Sequence, residues 1–330
     1  MARTYLGAVM PTRPSRGRPT GAVRATLAAA VGLLAAALAV ACVPSDERGG
    51  GGDDEADDAD LGGAHPRAAY LTSLTFVGFE ASPSLLHLRF ENQADRNRLA
   101  LSYQGWIAGR SEWTPLLRAE DTIPVARAAW RVVPTSGLRM QVGRGAQIEA
   151  VRLPLDGTPL RLEALDDISA WSSSTGQRET LRSAELILGP GAESGLLLQR
   201  RRARSLDAGR APLASQAFVI TDTIGDGLII LRNRAAADAP ATAWGWIDGE
   251  RIEWTDALLL ALTSAEGSPG RWSLEIASEG IVVELEGSPP ALETASTMGS
   301  TYRLYPVRAT LSIGDERRPM AGIGIEDDGP

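Results

Sequence analysis

One internal duplication constrains this chain more than any other feature. QGWIAGRSEWTPLL at 104–117 matches WGWIDGERIEWTDALL at 244–259, with Gly105, Trp106, Ile107 and Gly109 opposite Gly245, Trp246, Ile247 and Gly249. Trp113-Thr114 then falls opposite Trp254-Thr255, so the offset runs from 140 to 141 residues. LLHLRF at 85–90 precedes the first copy as LIILRN at 228–233 precedes the second, and AAWRVVPTSGLRMQV at 128–142 resembles GRWSLEIASEGIVVE at 270–284. RSAELILG at 182–189 and VRATLSIG at 307–314 keep the same order. Order held across these blocks predicts two related domains. The spacing is too long for a solenoid unit and suits an antiparallel domain of several strands.

Local patterning says that these domains are built from strands. TSLTFVGF at 72–79 is rich in β-branched and aromatic residues, SLLHLRF at 84–90 ends in a polar loop, and VRLPL at 151–155 reads as a short strand. TDALLLALTS at 255–264 fits a short helix or a buried strand equally well. Each WIxG segment predicts a hairpin, with Asp248-Gly249 supplying tight-turn residues in the second copy and Ala108-Gly109 the poorer pair in the first. The expected fold is all-β: two tandem, internally repeated antiparallel domains of sandwich or small-barrel type, at 68–192 and 193–330, divided near the GPGAESG turn. VRATLSIGDERRPMAGIGIEDD at 307–328 reads as strand, turn and Gly-rich strand. In that segment the chain resembles two-domain lipocalin-like proteins, including the carotenoid hydratase group, and the resemblance implies a two-domain barrel-like body. No catalytic residue is carried over from it.

The first 41 residues have a different logic. Arg3, Arg13, Arg16, Arg18 and Arg24 precede an uncharged run of 17 residues, ATLAAAVGLLAAALAVA, the layout of an export signal. The run is at the short edge of a membrane span, so a retained anchor helix is the other reading. It stops at Cys42, the one cysteine of the chain. Leu38 to Cys42 resemble the bacterial lipoprotein signal class, which implies cleavage before Cys42 and lipid attachment to it. Residues 43–63 carry eight acids and one Arg, a net charge of -7, and cannot bury enough apolar area to offset the entropy of ordering. Residues 42–67 are therefore expected to be a lipid-attached, disordered acidic tether. The resemblance implies a body outside the cytoplasm, membrane-anchored, and in the outer membrane where the organism has one, since Val43 is not the Asp that retains such proteins in an inner membrane.

Composition narrows the chemistry. A formal charge of -8 argues against nucleic acid as a partner, because phosphate contact needs a basic footprint. One Cys and two His exclude a thiolate metal site and leave little for imidazole chemistry, so neither metal nor cofactor is expected. His65 sits at the tether's end, and His87, within an apolar strand, is expected to be a strand-surface or hydrogen-bonded residue. No metalloprotease, phosphate-loop or nucleophile-elbow motif is present. The remaining reactive candidates are Asp166-Asp167, Asp222 and Asp226 in TDTIGDG, which reads as a turn, and Glu326-Asp327-Asp328.

Six of the eight Trp fall into repeat-related pairs: Trp106 with Trp246, Trp113 with Trp254, and Trp130 with Trp272. Trp106, Trp113, Trp246 and Trp254 are the candidate core residues or ligand platform. The expectation is of a lipid-anchored envelope protein with a binding or structural role, more so than an enzyme. Its partners would be the membrane through the N-terminal lipid and an envelope protein, a glycan or a small apolar ligand. The alternative is an envelope lipocalin-like isomerase or hydratase, or a carboxylate-dependent hydrolase. An enclosed site joining polar groups would favour the enzyme; an outward aromatic patch would favour binding.

Overall fold

A computed structural model describes residues 69–95, 98–109, 112–124, 132–134, 137–143, 147–155, 159–172, 177–204, 215–233, 241–262, 270–295 and 301–327. The export signal, Cys42, the acidic tether, His65, Trp130 and Asp328 lie outside them.

The body is all-β, as the repeat predicts. The first sheet holds β1 (Ala69–Gly78), β2 (Leu85–Asp95), β3 (Arg98–Ala108), β4 (Trp113–Pro124), β5 (Val132–Pro134), β6 (Arg139–Val142), β7 (Ile148–Leu153), β8 (Leu160–Ser172), β9 (Arg178–Leu188) and β10 (Gly191–Arg204). Its order is β4-β3-β2-β1-β10-β9-β8-β7-β6-β5, an antiparallel sheet curled into a half-barrel and left open between β4 and β5. The second holds β11 (Ser215–Thr221), β12 (Gly227–Asn233), β13 (Ala241–Ile247), β14 (Glu250–Leu262), β15 (Arg271–Ile276), β16 (Ile281–Gly287), β17 (Leu292–Ala295), β18 (Thr301–Ile313) and β19 (Glu316–Asp327). Here β16 also pairs with β18, so every strand but β17 joins a closed barrel.

The repeat maps onto equivalent strands. β9-β10-β1-β2-β3-β4 and β18-β19-β11-β12-β13-β14 follow one another in the same spatial order, so the WIxG segments close matching hairpins. Cross-strand pairing refines the sequence alignment: Leu88 lies opposite Gly105, and Leu228, not Leu231, lies opposite Gly245. β10 pairs with β1 and β9, so the chain changes sheet between 204 and 215, later than the expected 192/193 boundary. The GPGAESG glycines form the β9–β10 hairpin, with Gly189 at φ 59, and do not link domains. β14 settles the 255–264 segment as a strand through Leu262: Leu259 is buried while Leu258, Leu260 and Leu262 alternate with it outward.

Three apolar clusters follow from strand alternation. Leu74, Phe76, Leu86, Leu88 and Tyr103 face the hollow of the half-barrel. Phe218, Ile230, Trp272, Leu274, Val283 and Tyr305 fill the closed barrel, where Trp272 stacks on Tyr305 at 5.8 Å. The third cluster joins the domains: Val77, Leu85, Trp106, Trp113, Leu181, Leu196 and Leu198 from the convex face of the first sheet meet Ala217, Val219, Ile229, Trp244, Tyr302, Leu304 and Ile323 from the outside of the barrel. Each fully buried Leu, Ile or Val removes apolar surface worth about 1.5–3 kcal/mol. Thr221 Oγ1 donates to the Gly78 carbonyl at 2.9 Å and Trp113 Nε1 to the Pro290 carbonyl at 3.0 Å, stitching the same interface.

Candidate functional site

The convex face of the first sheet changes character along its strands. Side chains opposite one another in neighbouring antiparallel strands share a face, so pairing fixes which residues stand in a row. Near the Gly78 end, Leu196, Val77 and Leu85 form one such row, and Leu181, Leu198, Thr75, His87 and Trp106 form the next. One step further the row reads Glu179, Arg200, Ser73, Arg89, Gln104 and Arg118, and beyond it stand Arg202, Leu71, Glu91, Ser102 and Glu120. An apolar interface thus becomes ionic within two residues of each strand. The barrel answers in kind, placing Ser215, Tyr302 and Asp327 against the charged end.

Tyr302 is the hub. It is fully buried, donates from its hydroxyl to Gln104 Oε1 at 3.1 Å, packs edge-on to Trp106 at 5.6 Å, and carries the Arg89 guanidinium 4.4 Å above its ring. Burial pushes its phenol above the ordinary range, so it remains a donor. Arg89 Nε also donates to Glu91 at 2.9 Å, while Asp327 lies 3.8 Å from both Arg89 and Arg202. His87 Nδ1 shares a 3.0 Å hydrogen bond with Thr75 Oγ1, which bears out the hydrogen-bonded reading of this histidine. Burial, reinforced by Arg89 and Arg200, holds His87 down at about 3, so the ring is neutral at physiological pH.

Glu179 and Arg200 do not satisfy each other. Glu179 is fully buried and Arg200 is 6% exposed, yet their ion pair is a loose 3.5 Å, and Glu179 Oε2 and Arg200 Nε each lack a hydrogen-bond partner among the described residues. Gln177 Nε2 bonds the other Glu179 oxygen. Burial raises the Glu179 carboxyl above the ordinary carboxylate range, more than Arg200 and Gln177 lower it. Two more buried polar atoms on this interface stand without partners: the Ser169 hydroxyl and the Trp244 indole nitrogen. Native proteins leave few such atoms, so each of these asks for a partner or a role. A buried carboxyl whose affinity for a proton is raised, beside a guanidinium, is the kind of group that exchanges a proton with a bound molecule.

The residues singled out from sequence distribute unevenly. Trp106 and Trp113 are buried in the interdomain cluster, whereas Trp254 packs against the barrel interior and Trp246 stands half-buried on the barrel's outer side. The structure therefore brings together the first pair and not all four. Asp327 joins the ionic end, but Glu326, one residue away and on the other strand face, points into the barrel and accepts from Gln216 and Tyr305 at 3.0 Å. Asp167 is exposed and paired with Arg182 at 2.7 Å. Asp222 caps its own turn, accepting from the amides of Ile224, Gly225 and Asp226, as the TDTIGDG pattern predicts. Glu179, Arg200, Arg202 and Tyr302 were not singled out by sequence. The signal for two of them was present in LLLQRRRAR at 196–204, where period-two alternation sets Leu196, Leu198, Arg200 and Arg202 on one face.

No protein-family model matches the chain, and no curated protein matches it in sequence. Solved structures do match. The crystal structure of an AttH-type protein from Nitrosomonas europaea aligns with a TM-score of 0.54 at 11% identity, over 82% of this chain and 95% of that one. Kievitone hydratase from Nectria haematococca aligns at 0.47 and 9% identity, over 79% and 88%, and CghA at 0.48 and 13%, over 80% and 90%. The expectation that the body is more readily a non-enzyme is not upheld by these matches. At these identities the likeness is one of fold, which the chain shares with the AttH-type protein along most of its length.

Proposed function

We propose that this protein is an envelope enzyme of hydratase or isomerase type, acting on a small apolar molecule at the junction of its two β-domains. One observation carries the reading: a fully buried carboxyl with raised affinity for its proton, one oxygen unpartnered among the described residues, lying between two domains beside the Arg200 guanidinium. A single such group suffices for either reaction. In hydration the Glu179 carboxyl protonates one alkene carbon, water adds to the other, and the proton lost by that water returns to the carboxylate. In isomerisation the same carboxylate instead removes a proton from a neighbouring carbon. Arg200 steadies the carboxylate formed midway, and His87, neutral down to about pH 3, takes no part as a proton carrier. The adjoining apolar rows suit a substrate without many polar groups.

The test is isotopic. The purified protein is incubated in labelled water with a panel of acyclic terpene alkenes, and products are read by mass spectrometry for added water or exchanged hydrogen. Wild type gives product with at least one alkene. Glu179→Gln lowers the rate by about a hundredfold or more, the usual worth of a positioned general acid. The wild-type rate falls as pH rises through the raised Glu179 value, because the proton donor is then lost. Equal rates in wild type and variant, or no product from either, would sink the assignment.

Its place in the cell rests on the leader alone. The reading is of cleavage before Cys42, lipid attachment to that residue, and a flexible acidic tether that holds the catalytic body off an outer membrane. Cys42→Ser should shift the mature mass and release the protein from the membrane fraction; an unchanged mass and distribution would rule the anchor out.

A further inference from the structure

The outward face of β14 carries an apolar stripe that the body leaves uncovered. Of the large apolar side chains exposed among the described residues, Leu165, Leu188 and Ile224 stand apart, whereas Leu258, Leu260 and Leu262 succeed each other on one side of one strand at 52%, 41% and 48% exposure. Glu275, Ser273 and Arg271 lie opposite them on β15, so polar groups border the stripe. The fold does not call for these leucines: the outward positions of β4, the repeat-related strand of the half-barrel, are Arg118, Glu120 and Thr122. A contiguous apolar patch rimmed by polar residues is the pattern of a surface that meets another one.

Strand direction places the stripe within the body. Thr221, at the end of β11, donates to the carbonyl of Gly78, at the end of β1, while Ser215, at the start of β11, accepts from Arg202, which stands opposite Leu71 near the start of β1. β1 and β11 therefore begin at the same end of the body. β12 finishes there, β13 begins there, and β14 continues past the pairing of Ala257 with Ala241 into Leu258 to Leu262. The leucines thus share one end with Ala69, where the segment from Cys42 joins β1. We infer that Leu258, Leu260 and Leu262 rest on the lipid surface to which Cys42 is anchored. This depends on the anchor proposed above and goes beyond it by assigning the face that the body turns to the membrane. The matching surface is zwitterionic: loss of the five leader arginines takes the formal charge from -8 to -13, so anionic headgroups would repel the body and the attraction comes from apolar burial. An acyl chain at Cys42 keeps the stripe close to the bilayer, where a contact too weak to hold a free protein suffices.

The test reads contact with lipid at two places on the membrane-purified protein, reconstituted in phosphatidylcholine vesicles that contain a spin-labelled phosphatidylcholine as quencher. A thiol-reactive NBD fluorophore is placed at Ser273→Cys, which faces outward opposite Leu260, or at Glu250→Cys, exposed at the far end of β14. The reporter at 273 should be quenched and the reporter at 250 should not. Leu260→Ser should weaken the quenching at 273, and Ser at 258, 260 and 262 together should abolish it; both changes face water rather than the barrel core, so the thermal melt should stay that of wild type. Equal quenching at the two positions, quenching at neither, or quenching at 273 that survives the triple substitution would overturn the inference while leaving the anchor standing. Protein without an added cysteine separates the two readings, because a lipidated Cys42 has no free thiol: labelling at Cys42 would remove the anchor and this inference with it. Sedimentation of Cys42→Ser should show a monomer; a dimer that the triple substitution dissociates would give the leucines to a second copy of the chain and refute the membrane contact.

Discussion

At the residue scale the interior of the interface is set by what each buried polar atom can find. His87 illustrates the cost of a titratable group without a charged partner. Its folded value of about 3 lies below the ordinary value of 6.5, so the unfolded chain binds its proton more readily than the folded one. The contribution is present above about pH 6.5 and is lost as pH falls toward about 3; by linkage this amounts to a few kcal/mol at most. Melting temperature should therefore drop over that window in wild type. His87→Gln, which keeps a hydrogen-bonding partner for Thr75 and has no proton to gain, should flatten the dependence. A slope identical in the two proteins would assign the acid sensitivity elsewhere. His87 was legible in the sequence because an alternating apolar strand leaves a lone imidazole few roles. Glu179 was not: RETLRSAEL places it among ordinary alternating charges, and only the fold reveals that its row is covered by a second domain.

At the element scale, hairpins decide which side chains the interface receives. The repeat offset of 140 residues at Trp106/Trp246 becomes 141 at Trp113/Trp254, and side chains along a strand alternate faces, so one residue turns a side chain to the other side of its sheet. Trp113 accordingly lies opposite Ala108 on the convex face, while Trp254 lies opposite Ala243 of the barrel interior. The duplication was plain in sequence and its strand order followed from it. The opposite facing of this Trp pair was encoded in the change of offset, but bulges at Gly105/Trp106 and Ala241/Ala243 reset the register and hid it. The second hairpin needs its turn residues: Asp248 at φ 54 and Gly249 at φ 81 are both left-handed, the geometry that suits the twist of the strands. Arg318 Nη2 holds the Asp248 carboxylate at 2.8 Å, and Asp226 accepts from the Asp248 amide. A Cβ at Gly249 meets no atom, so Gly249→Ala isolates backbone strain. Urea unfolding should show a loss of about 1 kcal/mol, with tryptophan fluorescence unchanged in the folded state.

At the scale of the whole molecule, two domains with separate interiors share a third cluster that neither can bury alone. The half-barrel owns one apolar core and the closed barrel another, whereas Val77, Leu198, Val219 and Ile229 are buried only because the sheets face each other. Such an arrangement couples the domains without merging them, and it explains how a polar site can persist at their junction: the apolar rows hold the sheets together while the ionic rows remain imperfectly paired. Val219 tests this directly. It is fully buried on the outer face of β11, outside the cluster that fills the barrel, so Val219→Asp places a carboxylate against Trp244 and Leu198 country without disturbing the barrel's own packing. An unpaired buried charge costs several kcal/mol, enough to part the sheets and let each core melt by itself. Calorimetry of wild type should then show one cooperative transition and the variant two, with the second close to the original temperature. A single transition merely shifted downward would mean that neither β-domain stands without the other, and that the junction belongs to one indivisible core.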